Sequence, residues 1–102
     1  MMTKTGVDLS VCAYCSVSLD NFSRTSDHLY PKSKGGVLSN ANKVPACSNC
    51  NQLKGGLDIN EFRLAIDVLI HNESSRHRIE IGRLKRIRYN INKIIDERKE
   101  DN

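Results

Sequence analysis

The sequence predicts a small α+β fold: two short strands and a short helix, stapled by four clustered cysteines and followed by two C-terminal helices. Three observations predict it. The only cysteines come as two matched C-x-x-C pairs, Cys12–Cys15 and Cys47–Cys50. The segments beside them are short and punctuated by turn residues. From Asp58 onward, apolar residues recur at helical spacing.

A two-residue gap lets both thiolates of a pair reach one ion, and two pairs complete a tetrahedral zinc site with Zn–S near ~2.3 Å. Residues 16–46 separate the pairs, more than the roughly 15–20 residues of a compact zinc ribbon. Something is therefore inserted between them. The competing reading is a disulfide framework, for which four cysteines allow three connectivities, and it needs an oxidising compartment. Met1–Asp8 has no apolar core of a secretory leader. No apolar run approaches the ~18 residues of a membrane span. The expectations are structural zinc, a cytoplasmic setting and no membrane partner.

Leu9–Val11 reads as a short strand into the first knuckle. Ser16–Ser23 is polar and turn-rich. Arg24–Tyr30 can be extended, because Pro31 biases Tyr30 away from helix. Lys32–Gly36 is a loop whose paired glycines permit positive φ. Lys43–Ala46 reads as a second strand, held to a sheet edge by Pro45. The second knuckle opens a short helix, Ser48–Lys54, stopped by Gly55-Gly56. Asp58-Ile59-Asn60-Glu61 has the form of a capping box. It starts a helix whose Ile59, Phe62, Ala65, Ile66, Leu69 and Ile70 are core candidates. His71–Ser75 reads as a polar joint. A long helix from about Ser75 to Arg98 follows, with Leu84, Ile87, Ile91 and Ile94 as a seam for its own domain or a second copy.

At 102 residues, with 38% hydrophobic and 5% aromatic content, the core is thin and a metal staple is expected. The expected division is a zinc-stapled unit at 1–57 and a helical extension at 58–102. The formal charge of +4 favours an acidic partner, nucleic acid first. Between Arg76 and Lys93, seven basic residues stand against Glu80 alone. That helix face, with Arg83 and Arg86, is a candidate nucleic-acid surface.

The string Cys12-x-x-Cys15, Asp27-His28-x-x-Pro31, Gly35-Gly36, Asn42, Cys47-x-x-Cys50-Asn51-x-x-Lys54-Gly55 resembles the HNH endonuclease family. Its parts fall in the family's order and local spacing, from Cys12 to Gly55. The resemblance implies a ββα-metal fold: two strands and a helix gripping one catalytic divalent ion, with zinc knuckles as buttress. It also implies DNA rather than RNA as substrate, and 3′-hydroxyl and 5′-phosphate products.

The residue types suit phosphodiester hydrolysis. Imidazole titrates near neutral pH, so His28 can take a proton from water, as the matching family residue does. Asp27 offers a hard oxygen for Mg²⁺ or Mn²⁺. Neighbours on a strand point to opposite faces, which suits separate roles for Asp27 and His28. Asn51 stands at the family's third signature position, often His, and its amide oxygen can supply the second ligand. Asn42 matches the middle Asn, which in the family orients the His-bearing loop. Lys54 is expected at a phosphate, and Lys32 and Lys34 near the nucleic-acid backbone. The favoured reading is a metal-dependent DNA endonuclease. The alternatives are a non-catalytic zinc-dependent nucleic-acid-binding module, or an accessory subunit that cuts only within a packaging or restriction complex. A homodimer or a larger nucleoprotein machine is compatible with any of these.

Overall fold

The computed structural model describes residues 8–36, 40–73 and 78–100. Side chains of Lys34, Asn40, Glu73, Arg78–Glu80 and Arg98–Glu100 are outside that description. Strand β1 (Thr25–His28) pairs antiparallel with β2 (Lys43–Ala46), with Asp27 opposite Val44 and His28 opposite Lys43. Helices α1 (Ser48–Lys54), α2 (Ile59–Glu73) and α3 (Arg78–Glu100) follow. A two-stranded sheet is all edge, so Pro45 costs no ladder bond. Its carbonyl instead accepts from Ala13 N–H at 2.8 Å and ties the sheet to the first knuckle.

Leu9–Val11 does not form the expected strand. Only Val11 pairs, in a single bridge to Ser18. Cys12 N–H donates to Val17 O (2.8 Å) and Ser16 N–H to Cys12 O (2.9 Å), which closes the chain into a tight knuckle with Ser16 at φ +69°.

The start of α2 follows from its sequence. Glu61 N–H donates to Asp58 Oδ1 at 2.8 Å, and Asp58 N–H donates to Glu61 Oε1 at 3.0 Å. This is a complete capping box. Ile59 N–H also donates to Leu29 O at 2.8 Å, which fixes α2 to the end of β1. Replacing Asp58 with Ala should cost about 1 kcal/mol. Urea unfolding should show that as a lower midpoint at unchanged slope.

The polar joint was expected at His71–Ser75, but α2 continues through Glu73. Exposed polar residues there are no bar to helix. The expected start of the last helix, near Ser75, lies outside the described residues. The α3 seam is used inside the chain: Leu84, Ile87 and Ile91 are buried with Ile59, Phe62, Ile66 and Ile70 of α2, in one core with Cys12, Tyr14, Leu29 and Cys50. Asn90 of α3 adds a polar anchor, donating Nδ2–H to Tyr14 O (2.6 Å) and Ser16 Oγ (3.0 Å). The long helix is therefore part of the scaffold that holds the first knuckle.

Candidate active site and metal centre

Both knuckles have the same construction. Cys15 N–H points at Cys12 Sγ (3.5 Å) and Cys50 N–H at Cys47 Sγ (3.4 Å). The four sulfurs lie within 4.8 Å of one another, and Cys15 Sγ is 3.7 Å from Cys47 Sγ. Bonds of ~2.3 Å at tetrahedral angles put thiolates about 3.8 Å apart. None of the four is in a disulfide. Cys12, Cys15 and Cys50 are buried and Cys47 is half-buried. The donor set and its size can hold a zinc ion. The hydrogen bond from Cys50 lowers the pKa of Cys12 to about 4, against the effect of burial. The same contact, with burial, pushes Cys50 far up. Arg83 Nη2 lies 3.9 Å from Cys50 Sγ, so a cation from α3 also faces the sulfur cluster.

Asp27 and His28 diverge from β1 as an extended strand requires. Asp27 is 6% exposed and faces inward. Its Oδ2 accepts from the Tyr14 hydroxyl at 2.5 Å and lies 3.2 Å from Lys54 Nζ, while Oδ1 is 3.5 Å from the same ammonium. Lys54 Nζ donates a further bond to the His28 carbonyl at 2.8 Å.

The expectation that Lys54 meets a phosphate is not what the fold does with it. Lys54 is 1% exposed, and its charge is spent on Asp27 and on the peptide of His28. The physical reason is α1, which crosses β1 with Lys54 directly over Asp27. A buried lysine needs a carboxylate partner.

Sequence reading also missed Tyr14. It lies between the two cysteines of the first knuckle, is fully buried, and meets Phe62 edge to face at 5.2 Å. Burial, then the charge of Asp27 and their hydrogen bond, push its pKa well up, so it stays a phenol and a donor. The signal available was its place between the two cysteines of a C-x-x-C pair, as one of only five aromatic residues in the chain. Tyr14→Phe keeps the ring and removes one hydrogen bond to a charged group. Thermal or urea unfolding should register a loss of about 1.5–3 kcal/mol.

Asn51, on α1, donates Nδ2–H to Thr25 Oγ1 at 3.0 Å, and Thr25 Oγ1–H donates to Ala46 O at 2.7 Å. With its nitrogen committed, the Asn51 amide has its oxygen as the remaining ligand atom. Asn42 is buried and clamps the backbone of one residue, Tyr30, with both ends of its side chain. Its Oδ1 accepts from Tyr30 N–H (3.0 Å) and its Nδ2–H donates to Tyr30 O (2.9 Å). Its backbone carbonyl takes Leu29 N–H at 2.8 Å. The chain just after His28 is thereby fixed.

Gly36 is needed at the base of the same loop. A Cβ there would fall 1.5 Å from Tyr30 O, whereas Gly35 supplies the positive φ, +83°. His28 is half-buried, and its Nε2 is shielded from solvent and makes no hydrogen bond among the described residues. Lys32 is exposed, and the side chain of Lys34 lies outside the described residues. Arg86 is exposed on α3, and Arg83 is half-buried beside the cysteines.

No helix among the described residues is long and apolar enough to cross a membrane. No curated protein matches the sequence significantly. The model of the HNH endonuclease family matches residues 12–61, from the first knuckle through the capping box of α2. That span takes in both cysteine pairs, the Asp27–His28 strand, the Asn42 clamp and the Asn51 helix, and the chain therefore carries a domain of the HNH endonuclease family, whose substrates are nucleic acids.

Proposed function

We propose that the protein is a metal-dependent DNA endonuclease, with His28 as general base and Asp27 and Asn51 as protein ligands of one divalent ion, Mg²⁺ or Mn²⁺. The observation that carries this reading is the convergence of β1 and α1. Asp27 and Asn51 come from the two facing elements, and both lie on the face shared with Thr25.

The residues fit such an ion. Asp27 Oδ1 has only a long contact to Lys54, which leaves lone pairs for a hard cation. One carboxylate and one amide oxygen, completed by water and phosphate oxygens, are an ordinary Mg²⁺ ligand set. When bound, the ion supplies charge neutralisation at the phosphate and stabilisation of the leaving oxygen.

The chain's own residues do the rest. His28 takes a proton from water at an imidazole nitrogen, and its unpartnered Nε2 is consistent with a nitrogen kept for a reactant. Asn42 keeps the loop beyond His28 in place through the backbone N–H and carbonyl of Tyr30. Tyr14 and Lys54 hold Asp27 from within. The four cysteines hold a structural zinc, because four thiolates leave no open coordination position. Residues 1–57 form the nuclease unit in this reading, and 58–102 the helical extension that braces it.

The test is cleavage of supercoiled plasmid by the purified chain in Mg²⁺, Mn²⁺ or Ni²⁺. Conversion to nicked or linear DNA that requires added divalent metal, and that His28→Ala lacks, is the expected result. Metal-dependent binding without any cleavage would favour the non-catalytic module.

A further inference from the structure

Phe22 is 98% exposed, the most exposed large apolar side chain among the described residues. Single exposed apolar residues are common and need no account when the chain beneath them is slack. This one is not. Asp20 Oδ1 accepts from Phe22 N–H (2.9 Å) and Ser23 N–H (2.8 Å), and Ser23 Oγ accepts from Asp20 N–H (2.9 Å). Arg24 N–H donates to Asp20 O at 3.0 Å. The Arg24 guanidinium then donates to Leu9 O (3.1 Å) and Asn21 Oδ1 (2.7 Å). The turn is cross-braced on both sides of a ring that it holds out in water.

Beside this turn runs a groove of about 490 Å³. Ser18 and Ser23 from the same loop, Asn49 of α1, and Arg83 and Arg86 of α3 line it together with Val17, Leu19 and the cysteines Cys15 and Cys47, and no carboxylate among the described residues does.

We infer that this turn and groove are a nucleic-acid-binding surface, in which Phe22 stacks on a base and Arg83 and Arg86 meet the neighbouring phosphates. The inference rests on the reading of the substrate as nucleic acid. Two features select that partner over a protein. Arg83 and Arg86 stand on one wall of a groove that also has Ser18, Ser23 and Asn49, and two cations with hydroxyl and amide donors complement phosphate. Phe22 is flanked in the turn by Asp20, Asn21, Ser23 and Arg24, all polar, so the ring is presented singly rather than as part of an apolar run. A single rigid ring beside cations is what a base and its flanking phosphates need, and stacking of this kind tolerates any sequence.

The chain contains no tryptophan, so Phe22→Trp introduces a single fluorescent reporter at the proposed contact. The full chain is titrated with a 20-nucleotide single strand and with the matching duplex, at several salt concentrations. The Phe22→Trp emission should be quenched by at least one of the two forms, with affinity close to that of the unsubstituted protein. Phe22→Ala should bind that form roughly 5- to 100-fold more weakly, with an unchanged salt slope, since stacking carries no counterion release. Arg86→Gln should lower the log–log slope by about 0.7–0.9. Thermal unfolding of Phe22→Ala should match the unsubstituted chain, because the ring packs on nothing. An unchanged affinity in Phe22→Ala, with no quenching in Phe22→Trp, overturns the inference and leaves the nuclease reading standing; the ring then serves another kind of partner. Failure of the unsubstituted chain to bind either form sinks both.

Discussion

Replacing His28 with alanine should lower plasmid cleavage by about 10²–10⁴-fold, the usual cost of losing a general base. Zinc content, fold and DNA affinity should change little. His28 contributes its carbonyl, not its imidazole, to the buried network around Lys54, and alanine keeps that carbonyl. Its Nε2 has no hydrogen bond to lose. The informative contrast is with Asp27. Asp27→Ala is a poor probe, because it strands the ammonium of Lys54 in the interior, and breaking a buried pair costs roughly 3–5 kcal/mol. Asp27→Asn also removes the countercharge of Lys54 but keeps the shape and an oxygen acceptor for Tyr14 and Lys54, so its zinc content and circular dichroism are measured beside its activity. It should raise the Mn²⁺ concentration needed for half-maximal cleavage, and excess Mn²⁺ should partly restore the rate. His28→Ala should not respond to added metal. The reverse pattern would exchange the two roles. Robust cleavage by both variants would put the active centre elsewhere.

Much of the stretch that matches the HNH endonuclease family is legible in the sequence because its signals are local. Pro31 and Pro45 limit what the flanking residues can do, Gly55 supplies the positive φ that ends α1, and Asp58 with Glu61 caps α2 through bonds three residues apart. The two cysteine pairs carry their geometry in their spacing. What is hidden depends on contacts between distant segments. Lysine is among the residues least often buried, and nothing near Lys54 in the chain announces that α1 will lay it on Asp27, 27 residues earlier. Tyr14 is hidden in the same way, because its partners Asp27, Phe62 and Asn90 come from β1, α2 and α3. The basic last helix is a mixed case. Its charges were legible, but its seam fitted either a second copy or its own domain, and only the packing against α2 decides for the latter. Its removal would open the core, so its exposed cations are best tested by point substitution. Arg88 is a weaker candidate than its neighbours, since Asp67 lies 3.4 Å from its guanidinium.

Removing the metal from the cysteine cluster should unfold the protein. The buried core is small, and three of the four cysteines belong to it along with Tyr14, which joins the first knuckle to Asp27, Phe62 and Asn90. Without an ion, thiolates gathered within 4.8 Å repel one another, and thiols there leave buried sulfur with weak partners. Zinc binding at such a site is folding free energy, about 10–16 kcal/mol in apparent terms for small zinc domains. That is comparable to the whole stability of a typical domain, about 5–15 kcal/mol. The expected result is about one zinc per chain by elemental analysis, and loss of helical circular dichroism on incubation with a strong chelator. Cys47→Ser should be unfolded or retain no zinc, although Cys47 is the most exposed of the four. Helices α2 and α3 should melt in the same transition as the knuckles, because Asn90 and the seam of α3 close on Tyr14 and α2. A chelator-treated chain that contains no zinc and keeps its circular dichroism would mean that the hydrophobic core alone holds the fold, and that the cysteines serve another purpose.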